Sequence, residues 1–121
     1  MDCIFCKIIS GDIPSYTIYE DDIVKVFLDV NPDCNGHCLI VPKKHILDLD
    51  IIDIDTLTHI MNIAKKIKKL LESKLNMQGC TLVQNNGDVQ EIKHFHLHLK
   101  PFYRNKESLL DVKDVYSKLK V

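Results

Sequence analysis

His94-Phe95-His96-Leu97-His98 places three of the chain's six histidines at every second position. Successive side chains of an extended strand alternate faces, so this spacing predicts a strand presenting His94, His96 and His98 on one side and Phe95, Leu97 and Leu99 on the other. The first face carries chemistry and the second carries core. Same-face neighbours lie about 6.5–7 Å apart at the backbone, close enough for two rings to converge on one small anion such as a phosphate, or to tilt onto one metal ion. Near neutral pH a large share of imidazole is uncharged and has a free lone pair, which suits a nucleophile. A lone histidine would fit an ordinary polar strand face; three in register fit it poorly.

Upstream of this stretch, Cys80-Thr81-Leu82-Val83-Gln84-Asn85 reads as a strand running into the turn Asn86-Gly87-Asp88. The chain returns through Val89 to Lys93 and the histidine strand ends at Lys100-Pro101, where proline stops the ladder. Pairing of these two strands as a hairpin sets Asn85 beside the histidines. Gly36 to Val41, rich in β-branched residues and closed by Pro42, predicts another strand, with His37 opening it and His45 just beyond. Taken singly, each of those two histidines reads as a surface polar residue. Tyr16–Glu20 and Ile23–Leu28 alternate in the strand manner around Asp21-Asp22 and predict a hairpin. Asp29 ends its second strand, either as a turn group or as an acceptor for two neighbouring hydroxyls of a sugar.

From Asp55 to about Lys74, Leu57, Ile60, Met61, Ala64, Ile67, Leu71 and Leu75 follow helical spacing, with Lys65, Lys66, Lys68 and Lys69 mostly on the solvated side. Asp53 or Asp55 is the expected N-cap, and His59 reads as an incidental surface residue. A short helical turn after Cys3 is stopped by Gly11, and residues 105–121 read as a modest C-terminal helix. The expected inventory is therefore about five strands, one long amphipathic helix and two short ones.

The whole chain, 121 residues with 45% hydrophobic content, fits one domain spanning 1–121. A net charge of −1 with interspersed signs offers no basic stripe, so a nucleic-acid partner is not expected. Met1-Asp2-Cys3 lacks the start of a signal peptide and no apolar run reaches membrane-span length, which predicts a cytoplasmic protein with no membrane partner. Five cysteines, an odd count, then read as reduced thiols or metal ligands. Cys3-x-x-Cys6 has metal-ligand or redox spacing, but the breaker at Gly11 replaces the long helix that a redox motif needs. The pair alone supplies two of the four ligands of a structural zinc site, and two buried free thiols remain the alternative.

The set formed by Cys3-Ile4-Phe5-Cys6-Lys7-Ile8-Ile9, Phe27-Leu28-Asp29, Gly36-His37 through Pro42-Lys43-Lys44-His45, Asn85-Asn86-Gly87 and His94 to Leu99 closely resembles the histidine-triad (HIT) family, in its Hint-like nucleoside phosphoramidase and nucleotide hydrolase branch. The resemblance runs from about residue 3 to 103, with 105–121 as a helical tail. It implies an α+β domain with an antiparallel sheet of about five strands, in agreement with the residue-level reading, and a homodimer.

By the same resemblance, His96 would attack the α-phosphorus of a purine nucleotide such as AMP or an adenosine phosphoramidate and become transiently nucleotidylated, and water would then cleave the phospho-histidine bond. His98 would contact the phosphate and aid departure of the leaving group, with His37 supporting His96 from the neighbouring strand. Asn85 and Gln90 would hold phosphate or orient the site. Asp29 would bind the ribose hydroxyls, and Ile4, Phe5, Ile8 and Phe27 would line the purine slot. Related bacterial members carry a structural zinc, whose ligands here would be Cys3, Cys6, His45 and His94. The segment between Asn85 and His94 is two residues shorter than in common members, and Glu91 stands where Ser or Thr is usual, which implies altered phosphate contacts. Two other readings stay open: a metallohydrolase using the triad histidines, and a non-catalytic nucleotide-binding scaffold protein.

Overall fold

Alternation of apolar and polar side chains organises this α+β chain around one sheet. The computed structural model describes residues 3–120. Strands β1 (Thr17–Glu20), β2 (Val24–Leu28), β3 (Cys38–Pro42), β4 (Gly79–Val83) and β5 (Leu97–Phe102) pair antiparallel in the order β1-β2-β3-β5-β4. Helix α1 (Ile4–Ser10) lies before β1, α2 (Ile54–Lys74) crosses between β3 and β4, and α3 (Val112–Leu119) ends the chain. No helix among the described residues is long and apolar enough to cross a membrane.

The two sheet faces have separate cores. On one, Val26, Cys38, Ile40, Phe95, Leu97 and Leu99 pack with Ile60, Ile63, Ala64, Ile67 and Leu71 of α2, and α3 adds Val115 and Leu119. On the other, Phe5 and Ile8 of α1 pack on Phe27, Leu39 and Val41. Phe95, Leu97 and Leu99 thus occupy the first core, as their spacing predicted. Asp53 is the N-cap of α2, accepting from the Thr56 amide at 3.0 Å. Within α2 the buried arc is centred one position from expectation: Ile63 is 2% exposed while Met61 is 44% exposed.

Three boundaries differ from the sequence reading. Regular pairing in β5 begins at Leu97 because the amides of His94 and Phe95 are taken by Ile92 O at 2.8 Å and Ile46 O at 2.7 Å. β4 ends at Val83, where Gln84 turns its side chain onto Asn85 O and Asn86 Oδ1. The terminal helix is shorter than 105–121 because Asn35 holds the preceding segment extended, donating to Ser108 O at 3.0 Å and accepting from the Leu110 amide at 2.9 Å. Asp111 then caps α3.

Tight turns bring the site's segments together. Gly11 ends α1 at φ +89°, and Lys25 Nζ donates to the Ile8 carbonyl at 3.1 Å, tying that helix end to β2. Gly36 sits at φ +90° directly before His37. A Cβ there would lie 2.6 Å from Leu75 Cδ1 and 3.1 Å from Pro101 Cγ, so backbone conformation and packing both require glycine.

Candidate active site

The register of β3 on β5 sets Leu39 opposite His98, and β4 sets Val83 opposite it on the other side. His98 is therefore central on the face that α1 partly covers. Between α1, the end of β2 and this row of side chains lies a cleft of about 480 Å³, a size typical of small-molecule sites. Ile4, Phe5, Ile8 and Phe27 give it an apolar wall, with Phe5 edge-on to Phe27 at 5.7 Å and to His96 at 4.9 Å between ring centroids. Asp29, His37, Asn85, His96 and His98 also line it.

Gln90 departs from its expected role. It is 3% exposed and its Nε2 donates to Leu47 O, so it braces the turn at Gly87–Val89 and does not line the cleft. His37 also differs: its ring packs on His98, with centroids 5.2 Å apart, rather than supporting His96. His37 precedes β3, whose Leu39 pairs with His98, and that register decides the contact.

Backbone partners determine which nitrogen of each ring carries the proton. His96 Nδ1 lies 2.7 Å from His94 O. A carbonyl only accepts, so Nδ1 is the donor and Nε2 keeps its lone pair. His96 is only 5% exposed, yet no buried side-chain nitrogen or oxygen among the described residues lacks a partner. Its unpartnered Nε2 is accordingly open to the cleft. His37 Nδ1 accepts from the Asp33 amide at 3.1 Å, which leaves the proton on Nε2; this donates to His98 Nδ1 at 2.9 Å. His98 in turn carries its own proton on Nε2. The cleft thus holds a nucleophilic lone pair beside an N–H donor.

Burial pushes the pKa values of His37, His96 and His98 down, with His98 lowered to about 4 as its neighbours His96 and His37 add to the effect of burial. All three rings are neutral near pH 7. Asp29 Oδ1 accepts from the Asn31 amide at 2.9 Å, and Oδ2 lies 3.6 Å from His37 Nε2. One carboxylate oxygen is thereby held while the other faces the site.

Cys3, Cys6, His45 and His94 form a second cluster whose donor atoms all lie within 4.8 Å of one another. Cys3 Sγ is 3.3 Å and Cys6 Sγ 3.7 Å from His94 Nδ1, and Cys6 Sγ is 3.2 Å from His45 Nδ1. Tetrahedral zinc with bonds of about 2.0–2.3 Å requires ligand–ligand edges of roughly 3.3–3.8 Å, so these separations fit. His94 Nε2 donates to Pro42 O at 2.8 Å, which directs the Nδ1 lone pair at the thiols. This backbone support is the usual outer contact of a metal-binding histidine. The residues present therefore suit zinc.

Several groups escaped the sequence reading. Lys100 lines the cleft, held by Asp33 Oδ2 at 2.7 Å, and Ile92 lines it beside Glu91, the residue already expected to alter the phosphate contacts. Strand alternation from His98 to Lys100 could have located the lysine. His59 is not incidental: its Nε2 lies 2.7 Å from Asp21 Oδ2, which also accepts from Tyr19 Oη at 2.8 Å. Burial opposes ionisation of Asp21, but donation from the Val24 and Ile23 amides, Tyr19 and His59 outweighs it and holds this carboxyl well below the usual range.

Residues 10–105 match the family model of the HIT domain. The chain is 47% identical over 103 residues to an uncharacterized HIT-like protein of Methanocaldococcus jannaschii, spanning 84% of this chain and 79% of that one. It is 40% identical over 110 residues to the adenosine 5'-monophosphoramidase HNT1 of Saccharomyces cerevisiae, spanning 89% and 67% respectively. Among solved structures, a Zn-bound histidine triad family protein from Mycobacterium smegmatis superposes with a TM-score of 0.91 at 30% identity, over 98% of this chain and 91% of that one.

Proposed function

The chain belongs to the histidine-triad (HIT) family, and from that premise we propose that it hydrolyses purine nucleoside phosphoramidates or related nucleotides through a covalent nucleotidyl intermediate on His96. The observation that carries this reading is the open Nε2 of His96, held as a lone-pair nitrogen by the Nδ1–H bond to His94 O. The apolar wall suits a purine and the free oxygen of Asp29 suits ribose hydroxyls.

In the first half-reaction, His96 Nε2 forms a bond to phosphorus as the P–N bond breaks. His98 gives its Nε2 proton to the departing amine while solvent supplies a proton to Nδ1, the hydrogen bond from His37 Nε2 opening as it does so. Water then attacks phosphorus, passing a proton to His98, and the P–N bond to His96 breaks to release the nucleoside monophosphate. His37 acts as a positioning residue, holding His98 through Nδ1, and Asn85 supplies a polar contact at the phosphate. Donors already in place lower the barrier because they stabilise developing charge without rearranging. Incubation with an adenosine 5'-phosphoramidate should give amine and AMP, with an acid-labile AMP adduct trapped on His96. Undiminished turnover by His96→Ala would overturn the reading.

Zinc belongs to the proposal as a structural ion on Cys3, Cys6, His45 and His94, joining α1 to the segments after β3 and before β5. When bound it supplies cross-linking and no reaction step. Five cysteines, none in a disulfide among the described residues, suit a reducing compartment, the cytoplasm. A homodimer is included because β4 is an edge strand with Leu82 exposed on it and Phe102 exposed on its neighbour. Sedimentation analysis tests that assembly.

Asp29, His37 and His98 also bring three metal-capable atoms within 4.8 Å of one another, the observation favouring a metallohydrolase. The Asp33 amide opposes it: with Nδ1 occupied, the His37 proton sits on the Nε2 that such a metal would need. The carboxylates of Asp29 and Glu91 in the cleft favour the scaffold reading, in which AMP binds without turnover. Measuring AMP binding and phosphoramidate hydrolysis on one preparation separates the two.

A further inference from the structure

Glu91 lines the cleft, is exposed, and takes part in none of the ion pairs among the described residues. The imidazoles run in a row, His37 to His98 to His96, with centroids 5.2 Å and then 4.8 Å apart. Asp29 stands at the His37 end of that row. Glu91 is tied to the His96 end by the chain itself, since Ile92 O accepts from the His94 amide at 2.8 Å and His94 O accepts from His96 Nδ1 at 2.7 Å. A nucleoside with its base on the Phe5–Phe27 wall, its ribose on Asp29 and its phosphorus at His96 therefore has its remaining phosphorus substituent to accommodate near Asn85 and Glu91. That substituent is the leaving group. The lysine in the cleft, Lys100, is already paired with Asp33 at 2.7 Å, so its charge is compensated. The uncompensated charge beside the leaving group is negative.

We propose that Glu91 is a specificity-determining residue that selects the leaving group: the site favours nucleoside phosphoramidates whose departing amine carries a second, positively charged group, and disfavours substrates whose leaving group is a phosphate chain. The inference rests on the phosphoramidase reading and deepens it. As the bond from His96 Nε2 to phosphorus forms and the P–N bond breaks, the amine nitrogen takes the His98 proton, while the distal ammonium stays in the field of Glu91 throughout. No further reactant is needed. Because Glu91 is exposed, its attraction is screened, and a unit charge about 5 Å away gives on the order of a tenfold preference at low salt.

The test compares kcat/KM of the full chain for AMP amides of 1,4-diaminobutane and of butylamine, together with ADP, in the wild type, Glu91→Gln and His96→Ala. The wild type is expected to favour the diamine amide about tenfold at low ionic strength, and the preference should shrink to about twofold near 1 M salt. Glu91→Gln should bring the ratio within about twofold of unity at all salt concentrations and improve ADP relative to both amides. A salt-insensitive ratio, no preference in the wild type, or an unchanged preference in Glu91→Gln with turnover still dependent on His96 overturns the selector role alone. Absence of turnover in the wild type, or full activity in His96→Ala, overturns the reaction reading and this inference with it. Among the described residues Glu91 has no ion-pair partner to lose, so the variant is expected to fold, and thermal melting verifies it.

Discussion

Protonation of His98 should couple nucleotide affinity to pH with a predictable sign. In the free protein, burial and the adjacent His96 and His37 rings lower its pKa to about 4, against an ordinary value near 6.5. A phosphate oxygen at hydrogen-bond distance from Nε2 favours the imidazolium and works against both causes, the added proton entering Nδ1 as the hydrogen bond from His37 opens. If binding restores the ring to its ordinary value, complex formation takes up a proton between pH 4 and 6.5, so affinity rises as the solution becomes more acid. Between pH 7 and pH 5 the expected gain is about twentyfold, or about 2 kcal/mol. The ligand should be the methyl ester of AMP, whose phosphate keeps one charge over this range. Titration calorimetry in two buffers of different ionisation enthalpy reads proton uptake directly, and His98→Gln should flatten the profile to less than about threefold. Affinity that stays level or falls toward pH 5, or an equal slope in His98→Gln, would refute the reasoning. The same ring affects folding with the opposite pH preference. Its folded pKa is depressed, so its contribution is complete above pH 6.5 and is lost as pH falls through about 4. Without ligand, urea unfolding should report a loss of about 1–2 kcal/mol between pH 7 and pH 5.

Three further outcomes are expected. His96→Ala should lower phosphoramidate turnover at least about a thousandfold and abolish the AMP adduct seen by intact mass, while AMP affinity changes far less; an adduct that persists would exclude His96 as its carrier. Zinc should bind once per chain, and its removal by chelator, or Cys3→Ser, should lower stability by about 3–4 kcal/mol when free zinc is 100 to 1,000 times its Kd. Melting with and without metal checks this, and an unchanged Tm would argue against a structural ion. Gly36→Ala should cost about 2–4 kcal/mol in urea unfolding, combining left-handed strain with the Cβ contact on Leu75; a neutral result would mean that the turn before His37 relaxes freely.

The faces of the histidine stretch were legible because alternation is a local property, and Phe95, Leu97 and Leu99 lie in the core that it predicts. What failed depended on partners distant in sequence. The start of β5 is decided by Ile46 O accepting the Phe95 amide, a contact between segments 49 residues apart that no local pattern encodes. Gln90 and Glu91 are adjacent polar residues after a turn with Gly87 at φ +71°, and only the Leu47 carbonyl determines which of them turns away from the cleft. The partner of His37 follows from the register of β3 on β5, which alternation leaves free by two-residue steps. Met61 and Ile63 lie on opposite flanks of one helical stripe, and α3 packing beside α2 helps decide which flank is buried.

The chemical division of labour along the triad also depends on the backbone. His94 and His96 are alike in residue type, face and burial, yet one aims Nδ1 at a thiol pair and the other aims Nε2 at a cleft. Two carbonyls make the difference. Pro42 O accepts from His94 Nε2, and His94 O accepts from His96 Nδ1, so each ring exposes the lone pair that its carbonyl leaves unprotonated. His94 consequently takes part twice: its side chain faces the cysteines while its main chain orients the ring at the cleft. Spacing of two residues is what allows both, since it turns the rings to the same face and leaves the His94 carbonyl within reach of the next histidine. A metal bound at the cysteines would hold the segment whose carbonyl accepts the one side-chain hydrogen bond of His96 among the described residues, which would give a structural ion a physical route to the proposed nucleophile.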